Sequence, residues 1–98
     1  GKGVNFSLED SQQFWISFAL KFKLLFPNFE QEMLQKYPML SPSDLQFCKL
    51  VKLNLPTQDM AYLLNVAPRS LYRKKQRIFE KMGVNGSTDR NLMDYLPE

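Results

Sequence analysis

The sequence predicts an all-α fold, and two observations carry this prediction. Apolar residues recur at helical spacing along most of the chain, and no segment shows the apolar–polar alternation that is typical of a strand. Proline, serine and asparagine residues divide that pattern into segments of helix length. The 98 residues suffice for one modest hydrophobic core, and the apolar fraction of 44% is ordinary for a globular chain.

Two helices are expected in the amino-terminal part of the chain. Ser7 followed by Asp10 resembles a capping box, and the helix that it opens should run to about Phe26. Pro27 can then occupy the first turn of a second helix, because proline is tolerated there. This second helix should cover residues 28–36.

Four more helices follow from similar signals. Ser41 is expected to cap the third helix, and Thr57 to cap the fourth after a break at residues 54–57. A short turn then leads to a basic helix, which Gly83 ends because glycine adopts the left-handed conformation readily. The expected ranges are residues 42–53, 58–64, 68–82 and 89–95. The buried side of the third helix should consist of Leu45, Cys48, Leu50, Val51 and Leu53.

The fourth and fifth helices have the residue pattern of a helix-turn-helix. Ala61 is small at the point where the two helices must cross closely, and Asn65 tolerates the positive φ that the turn requires. Val66 is expected to fill the turn, while Leu71 and Ile78 hold the fifth helix against the fourth. Two short helices held by so few apolar residues fit the geometry of the motif.

The net charge of +3 is concentrated in one segment. Residues 1–68 contain six lysines and six acids, and residues 82–98 contain one arginine and three acids, which gives −2. Residues 69–81 give +5, because six cations are opposed only by Glu80. Positive charge that is local to one amphipathic helix is typical of a phosphate-binding surface.

Residues 40–84 resemble the LuxR/GerE-type helix-turn-helix domain without a gap. The motifs that carry the resemblance are "LSP", "LPT" followed by Ala61, "PRSL" and "RIFEKMGV". The lead-in at residues 26–45 and the variant "RSLYRKKQRIF" are similar to the carboxy-terminal domains of Bacteroidetes regulators that carry sensor or tetratricopeptide-type domains upstream. The resemblance implies a four-helix, sequence-specific DNA-binding domain of a bacterial transcriptional regulator over residues 39–98, preceded by an aromatic-rich helical segment over residues 1–38.

Helix geometry and the resemblance together select the residues that are expected to contact double-stranded DNA. If Leu71 and Ile78 face the core, Arg73 and Gln76 point away from it. A recognition helix in the major groove presents its outward residues to the base edges. We therefore expect base contacts from Tyr72, Arg73 and Gln76. Phosphate contacts are expected from Thr57, Arg69, Ser70, Lys74, Lys75 and Arg77.

The sequence departs from the family pattern at four positions: Pro56 replaces a common serine, Lys74 replaces a frequent histidine, and the other two are Ala67 and Lys75. Ala67 stands where the family usually has a serine or threonine cap, which should cost roughly 1 kcal/mol of capping free energy. Lys75 occupies a usually apolar position, and we expect its stem to lie along the edge of the core with the ammonium in water.

Residues 1–38 hold six of the eight phenylalanines and the only tryptophan. On a helix, the aromatic residues form one apolar stripe, while a second stripe consists of Ile16, Leu20 and Leu24. Three interpretations remain open: packing inside the domain, dimerisation, or docking against an upstream sensor domain. A homodimer would suit DNA binding, since two-fold proteins read paired half-sites. The candidate interface residues are Trp15, Phe18, Phe22 and Leu25, and the last helix is an alternative seam.

Composition argues against several other classes of protein. The chain has no histidine and a single cysteine, Cys48, so it has almost no ligands for zinc and no internal disulfide. Without paired carboxylates or a glycine-rich phosphate loop either, we expect no enzyme, metal or cofactor. No apolar run is long enough to cross a bilayer, so we expect a cytoplasmic protein. The competing hypothesis to DNA binding is a protein-interaction module that uses the aromatic helix.

Overall fold

The computed structural model describes residues 8–84 and 90–98, and all regular structure in these ranges is helical. This confirms the all-α class. The predicted cap at Ser7 and the loop at residues 85–88 lie outside the described residues, as does the start of the helix expected at residue 89. The elements are α1 (Leu8–Leu25), α2 (Phe29–Lys36), α3 (Pro42–Lys52), α4 (Thr57–Leu64), α5 (Pro68–Met82) and a carboxy-terminal 3-10 helix (Leu92–Tyr95).

The helix starts follow the predicted signals in α3 and differ from them in α2 and α4. Ser41 and Asp44 form a complete capping box, in which the Ser41 hydroxyl accepts from the Asp44 N–H and the Asp44 carboxylate accepts from the Ser41 N–H. In α2 the N-cap is Asn28, so the prediction that Pro27 occupies the first turn is wrong. In α4 the N-cap is Pro56, and Thr57 is already the first helical residue, so Thr57 does not cap the helix.

Three helices end in the same left-handed turn. Asn65 has a φ of 58° and its N–H donates to Tyr62, while the Val66 N–H donates to the Ala61 carbonyl at 3.0 Å. This pair of bonds is the Schellman arrangement. The same arrangement ends α5 at Gly83, and Asn54 adopts a φ of 61° at the end of α3. The predictions for Asn65 and Gly83 are confirmed, and the turn at Asn65 fixes the path from α4 into α5.

A single hydrophobic core draws residues from every helix. In it Met33, Ile78 and Phe79 have no exposed surface, so α2 and α5 both reach its centre. The boundary that the sequence analysis places after residue 38 therefore separates segments that share one core, and it stays a prediction as a domain boundary. The buried apolar residues of the amino-terminal segment are Phe22, Phe29, Met33 and Tyr37.

The buried face of α3 is slightly rotated from the predicted one. Leu45, Cys48 and Leu50 are buried as expected, and Phe47 joins them. Leu53 is exposed because it lies beyond the last residue of α3, at its C-cap. Val66 is also exposed, so the prediction that it fills the turn is wrong.

The carboxy-terminal 3-10 helix closes one side of the core against α3. Leu92 and Leu96 are buried, and the Tyr95 ring packs edge-on against Phe79 with centroids 5.5 Å apart. Asn91 caps this helix, since its side-chain oxygen accepts from the Met93 N–H. Among the residues that the structure describes, no helix has the combined length and apolarity needed to span a bilayer.

Candidate functional site

The α4–α5 pair holds the basic helix at the surface with its apolar side inward. Leu71 and Ile78 are buried on α5, as predicted, and they pack in the same core as Met60 and Ala61 of α4. Because residues 71 and 78 are seven apart, they mark one line along the helix. The side of α5 opposite this line therefore faces solvent at most of its positions.

Three arginines form a row on that exposed side, and we call Arg69, Arg73 and Arg77 the arginine row. Their spacing of four residues places them one above another along roughly 12 Å of helix. All three side chains are exposed. Within the described part of the chain, no carboxylate forms an ion pair with any of them. The row is thus a charge of three on one face of α5 that has no ion-pair partner in the described ranges.

Two clefts flank α5. The first has a volume of about 350 Å³ and contains Thr57, Tyr72 and Lys75 in its lining. The second has a volume of about 440 Å³, and Ser70, Arg73, Lys74 and Arg77 contribute to its lining. Helix α5 is therefore a ridge between two depressions. The structure brings seven of the nine residues predicted to contact DNA to the two sides of this ridge.

The remaining predicted residues lie between the clefts. At about 100° per residue, Arg69 and Gln76 fall on the outward side of α5, between the directions of Tyr72 and Arg73. Arg69 and Tyr72 are exposed, whereas Gln76 is half-buried. Arg73 and Gln76 are thus outside the core, where the sequence analysis expects them.

Lys74 differs from the arginines because it already has anionic and polar partners within the domain. Its Nζ lies 2.9 Å from Oδ1 of Asp44 and 2.7 Å from the Ser43 hydroxyl. Lys81, two turns further along α5, donates to Oδ2 of the same carboxylate at 2.6 Å. A phosphate contact from Lys74 would compete with this ion pair, so Lys74 is not a free cation in the way that the arginine row is.

Asp44 is the centre of this group, and we call Asp44, Lys74 and Lys81 the Asp44 cluster. Its carboxylate is 1% exposed and also accepts the Ser41 N–H in the capping box. Burial by itself would raise the pKa of Asp44, but the hydrogen bonds from Lys81, from the Ser41 backbone and from Lys74 outweigh it and hold that pKa well below its usual range. The cluster therefore connects the start of α3 to the basic helix through a carboxylate that is ionised at neutral pH.

The sequence analysis did not identify Asp44 as more than part of α3. A signal was present, since an acid three residues after a capping serine predicts a capping box. Lys74 and Lys81 are seven residues apart on α5, and this spacing places both at the border of its buried face. What the sequence cannot provide is the contact between α3 and α5, which are thirty-odd residues apart along the chain.

Lys75 lies at the edge of the core, as the sequence analysis expects of its stem. It is half-buried, and its Nζ lies 6.0 Å from the centroid of the Phe79 ring. This distance is at the outer limit of a cation–π contact. The residue also contributes to the lining of the first cleft.

The predicted interface residues on α1 fall into three environments. Phe22 is 3% exposed and belongs to the core, so its side chain is not available to a second molecule in this conformation. Trp15 and Phe18 are half-buried against the core, with their rings packed edge-on at 5.3 Å. Leu25 is 65% exposed. The aromatic side of α1 is therefore used mainly within the domain.

No arrangement of acids and cysteine that could hold a metal ion occurs among the described residues. Cys48 is fully buried in the core, and this burial raises the pKa of its thiol to about 12. The thiol therefore stays protonated and unreactive at neutral pH. Comparison of the chain with protein-family models, with characterised proteins and with solved structures found no match.

Proposed function

We propose that this chain binds double-stranded DNA as a sequence-specific domain of a bacterial transcriptional regulator, with α4 and α5 acting as a helix-turn-helix of LuxR/GerE type. The observation that carries the proposal is the arginine row, which is exposed and lacks ion-pair partners among the described residues. Guanidinium groups suit this role because they contact phosphates and guanine edges through two parallel hydrogen bonds.

The shape around α5 supports insertion into a groove. The helix has 15 residues and is therefore about 22 Å long. The two clefts beside it make it a protruding ridge, and the major groove of B-DNA is about 12 Å wide and admits one α-helix. We infer that α5 enters the groove while phosphates of the two strands approach the clefts on its sides.

Each predicted residue receives a role in this proposal. Arg73 contacts a guanine and Gln76 an adenine, while Tyr72 packs against a thymine methyl group. Arg69 and Arg77 contact phosphates, as do Ser70, Thr57 and Lys75. We place Lys74 in the Asp44 cluster instead, because a phosphate would have to displace a buried carboxylate at 2.9 Å.

Salt dependence of DNA binding tests the proposal. Fluorescence anisotropy with a labelled duplex at several salt concentrations gives the slope of log association constant against log salt, which is about −0.9 per phosphate contacted. We expect a slope of several units, and Arg69→Ala or Arg77→Ala should each reduce it by about one. Lys36→Ala, an exposed cation on α2, is the matched control and should leave the slope unchanged. A slope near zero would refute the proposal.

A second measurement separates base reading from phosphate binding. Arg73→Ala should weaken binding to a duplex selected from a random library by roughly 1–3 kcal/mol and binding to random duplex by less. An equal loss on both duplexes would make Arg73 a phosphate contact.

The alternative function is a protein-interaction module, and one observation favours it. Leucine and isoleucine side chains on the outer side of α1 are exposed, which is common in surfaces that contact other proteins. A chain that lacked salt-dependent DNA binding but associated through α1 would support this alternative. The homodimer on DNA and the upstream sensor domain stay predictions.

A further inference from the structure

The second cleft beside α5 is lined by polar residues of α3 that the sequence analysis did not connect with DNA. Helix α5 contributes Ser70, Arg73 and Arg77 to its lining. Helix α3 contributes Ser43, which is exposed, and Gln46, which is half-buried. Because these two residues are three apart, they lie on the same side of α3. The cleft therefore combines polar groups of two helices that are close together only in the folded chain.

The polar groups of this cleft are of the kind that binds an anion. Among the described residues, its lining contains two arginines, one lysine, two hydroxyl groups and one amide, and it contains no carboxylate. Asp44 lies against Lys74 but is 1% exposed and is not part of the lining. Each of the polar side chains in the lining can donate a hydrogen bond. The cleft therefore suits an oxyanion such as phosphate and does not suit a cation.

The hydrogen bonding of Ser43 leaves its hydroxyl proton for a ligand. The Lys74 ammonium donates to the Ser43 oxygen at 2.7 Å, and an ammonium group has no lone pair that could accept the hydroxyl proton. Within the described ranges, no other hydrogen bond involves the Ser43 side chain, and none involves the Gln46 amide. Helix α3 thus presents two donors without a protein acceptor to a cleft that is lined by cations.

We propose that the second cleft binds a phosphate group between α3 and α5, with the Ser43 hydroxyl and the Gln46 amide as the donors from α3. In the proposed function, on which this inference rests, the ligand is one phosphate of the DNA backbone. Helix α3 then contacts the same DNA strand as Arg77. The cleft volume of about 440 Å³ equals that of about fifteen waters at roughly 30 Å³ each, so a phosphate group fits together with part of its hydration.

Neutral and charged contacts to a phosphate differ in their dependence on salt. A cation that neutralises a phosphate releases counterions, whereas a hydroxyl or an amide releases none. Ser43→Ala should therefore weaken duplex binding by the same factor at every salt concentration. We expect a factor of about ten, the lower end for a hydrogen bond to a charged group, because the cleft is open to water. The factor should be equal for a selected and a random duplex, because a phosphate carries no sequence information.

Fluorescence anisotropy of matched serine variants tests these expectations. Ser17 is exposed on α1 and lines neither cleft beside α5, so Ser17→Ala should bind duplex DNA as the wild type does. Gln46→Ala should weaken binding in the same salt-independent way as Ser43→Ala. The control for Gln46→Ala is Gln35→Ala, an exposed position on α2 that should have no effect.

A carboxylate placed in the cleft gives a stronger test. Ser43→Glu should weaken binding by more than Ser43→Ala and should reduce the salt slope by about one, because the new charge offsets one cation. Ser17→Glu changes the net charge equally and should leave the slope unchanged. An acid is favourable in the first turn of a helix, and circular dichroism checks that the variants keep the helical fold.

Titration with inorganic phosphate tests the cleft without DNA. Two-dimensional amide NMR spectra are recorded with added sodium phosphate and, as a control, with sodium chloride at equal ionic strength. We expect saturable shifts of the Ser43 and Gln46 amide signals with phosphate only. These shifts should be lost in Ser43→Glu and should persist in Ser17→Glu.

The results distinguish failure of this inference from failure of the proposed function. If the wild type binds duplex DNA with a salt slope of several units but the Ser43 variants bind like the Ser17 variants, the inference is wrong and the proposed function stands. If duplex binding does not depend on salt but phosphate gives saturable shifts at Ser43, the cleft binds free phosphate and the proposed function is refuted. The absence of both effects would overturn both.

Discussion

Asp44→Asn is the substitution that tests the Asp44 cluster most directly. The change preserves the size of the side chain and removes its charge. Asparagine can still accept the Ser41 N–H through its amide oxygen, so the capping box loses little. The ammonium groups of Lys74 and Lys81, in contrast, lose their anionic partner. The effect therefore measures the connection between α3 and the basic helix rather than the start of α3.

The expected loss follows from the burial of the three side chains. Removing one partner of a fully buried ion pair costs about 3–5 kcal/mol, because the other charge is left without compensation. In this cluster the carboxylate is buried, but the side chains of Lys74 and Lys81 are 27% and 38% exposed. Both ammonium groups can turn toward water, so we expect Asp44→Asn to lower the free energy of unfolding by about 2 kcal/mol.

Urea denaturation followed by far-ultraviolet circular dichroism measures this loss. A loss of 2 kcal/mol corresponds to a melting temperature lower by roughly 10 °C in a domain of this size. The control is Asp59→Asn, which removes the same charge from an exposed position on α4 and should change the free energy of unfolding by less than about 0.5 kcal/mol. If Asp44→Asn were no more destabilising than this control, the cluster would not stabilise the fold.

The pH dependence of stability provides an independent check of the same cluster. The pKa of Asp44 is lowered in the folded protein from an ordinary value of 3.8. In the unfolded chain this carboxyl therefore binds a proton at a higher pH, so its contribution to stability is complete above this value and is lost as the pH falls below it. The difference in the free energy of unfolding between wild type and Asp44→Asn should therefore shrink as the pH falls below 3.8. If the two proteins lost stability in the same way as the pH falls, the lowered pKa would be contradicted.

Two further predictions concern the ends of α5. Ala67 occupies the N-cap in an extended conformation with no side-chain cap, so Ala67→Ser should raise the free energy of unfolding by about 1 kcal/mol in urea denaturation, and Ala67→Val, which cannot cap, should not. Gly83 has a φ of 78°, and a Cβ there would meet no atom within 4 Å. Gly83→Ala should therefore cost only the backbone strain of about 1–2 kcal/mol, and Gly83→Asn less, because asparagine tolerates this conformation; equal losses would contradict the strain argument.

Local chemistry explains which parts of the fold could be predicted from the sequence. Asn65, Gly83 and the Ser41 capping box depend on residues within one or two turns, so their conformations follow from the chain alone. The side of α5 that faces the core can also be predicted, because Leu71 and Ile78 are seven residues apart and so lie on the same side of the helix. The misplaced cap at Thr57 is a local error of one position, since serine-like residues are favoured both at the cap and just after it.

Tertiary contacts explain what could not be predicted. Helix α1 has an aromatic stripe and an aliphatic stripe, and either could have faced the core. The structure turns the larger aromatic side inward, with Phe22 buried, and leaves Leu20 and Leu24 in solvent. The sequence analysis therefore placed three of the four candidate interface residues, Trp15, Phe18 and Phe22, on the side that packs within the domain. Asp44 was missed for a similar reason, because its partners lie on a helix that only the fold brings near.

Five of the six cations of the basic helix divide into two groups by whether they have an ion-pair partner among the described residues, and their angles around α5 explain the division. Lys74 and Lys81 lie at the border of the buried face, where a carboxylate of α3 reaches them. Arg69, Arg73 and Arg77 lie further round, beyond the reach of Asp44. One buried acid neutralises part of the lysine charge, whereas no ion pair within the described residues involves the arginine row. Substitution of Lys74 or Lys81 should then lower stability, whereas substitution of the arginines should weaken the proposed DNA binding and leave stability largely unchanged.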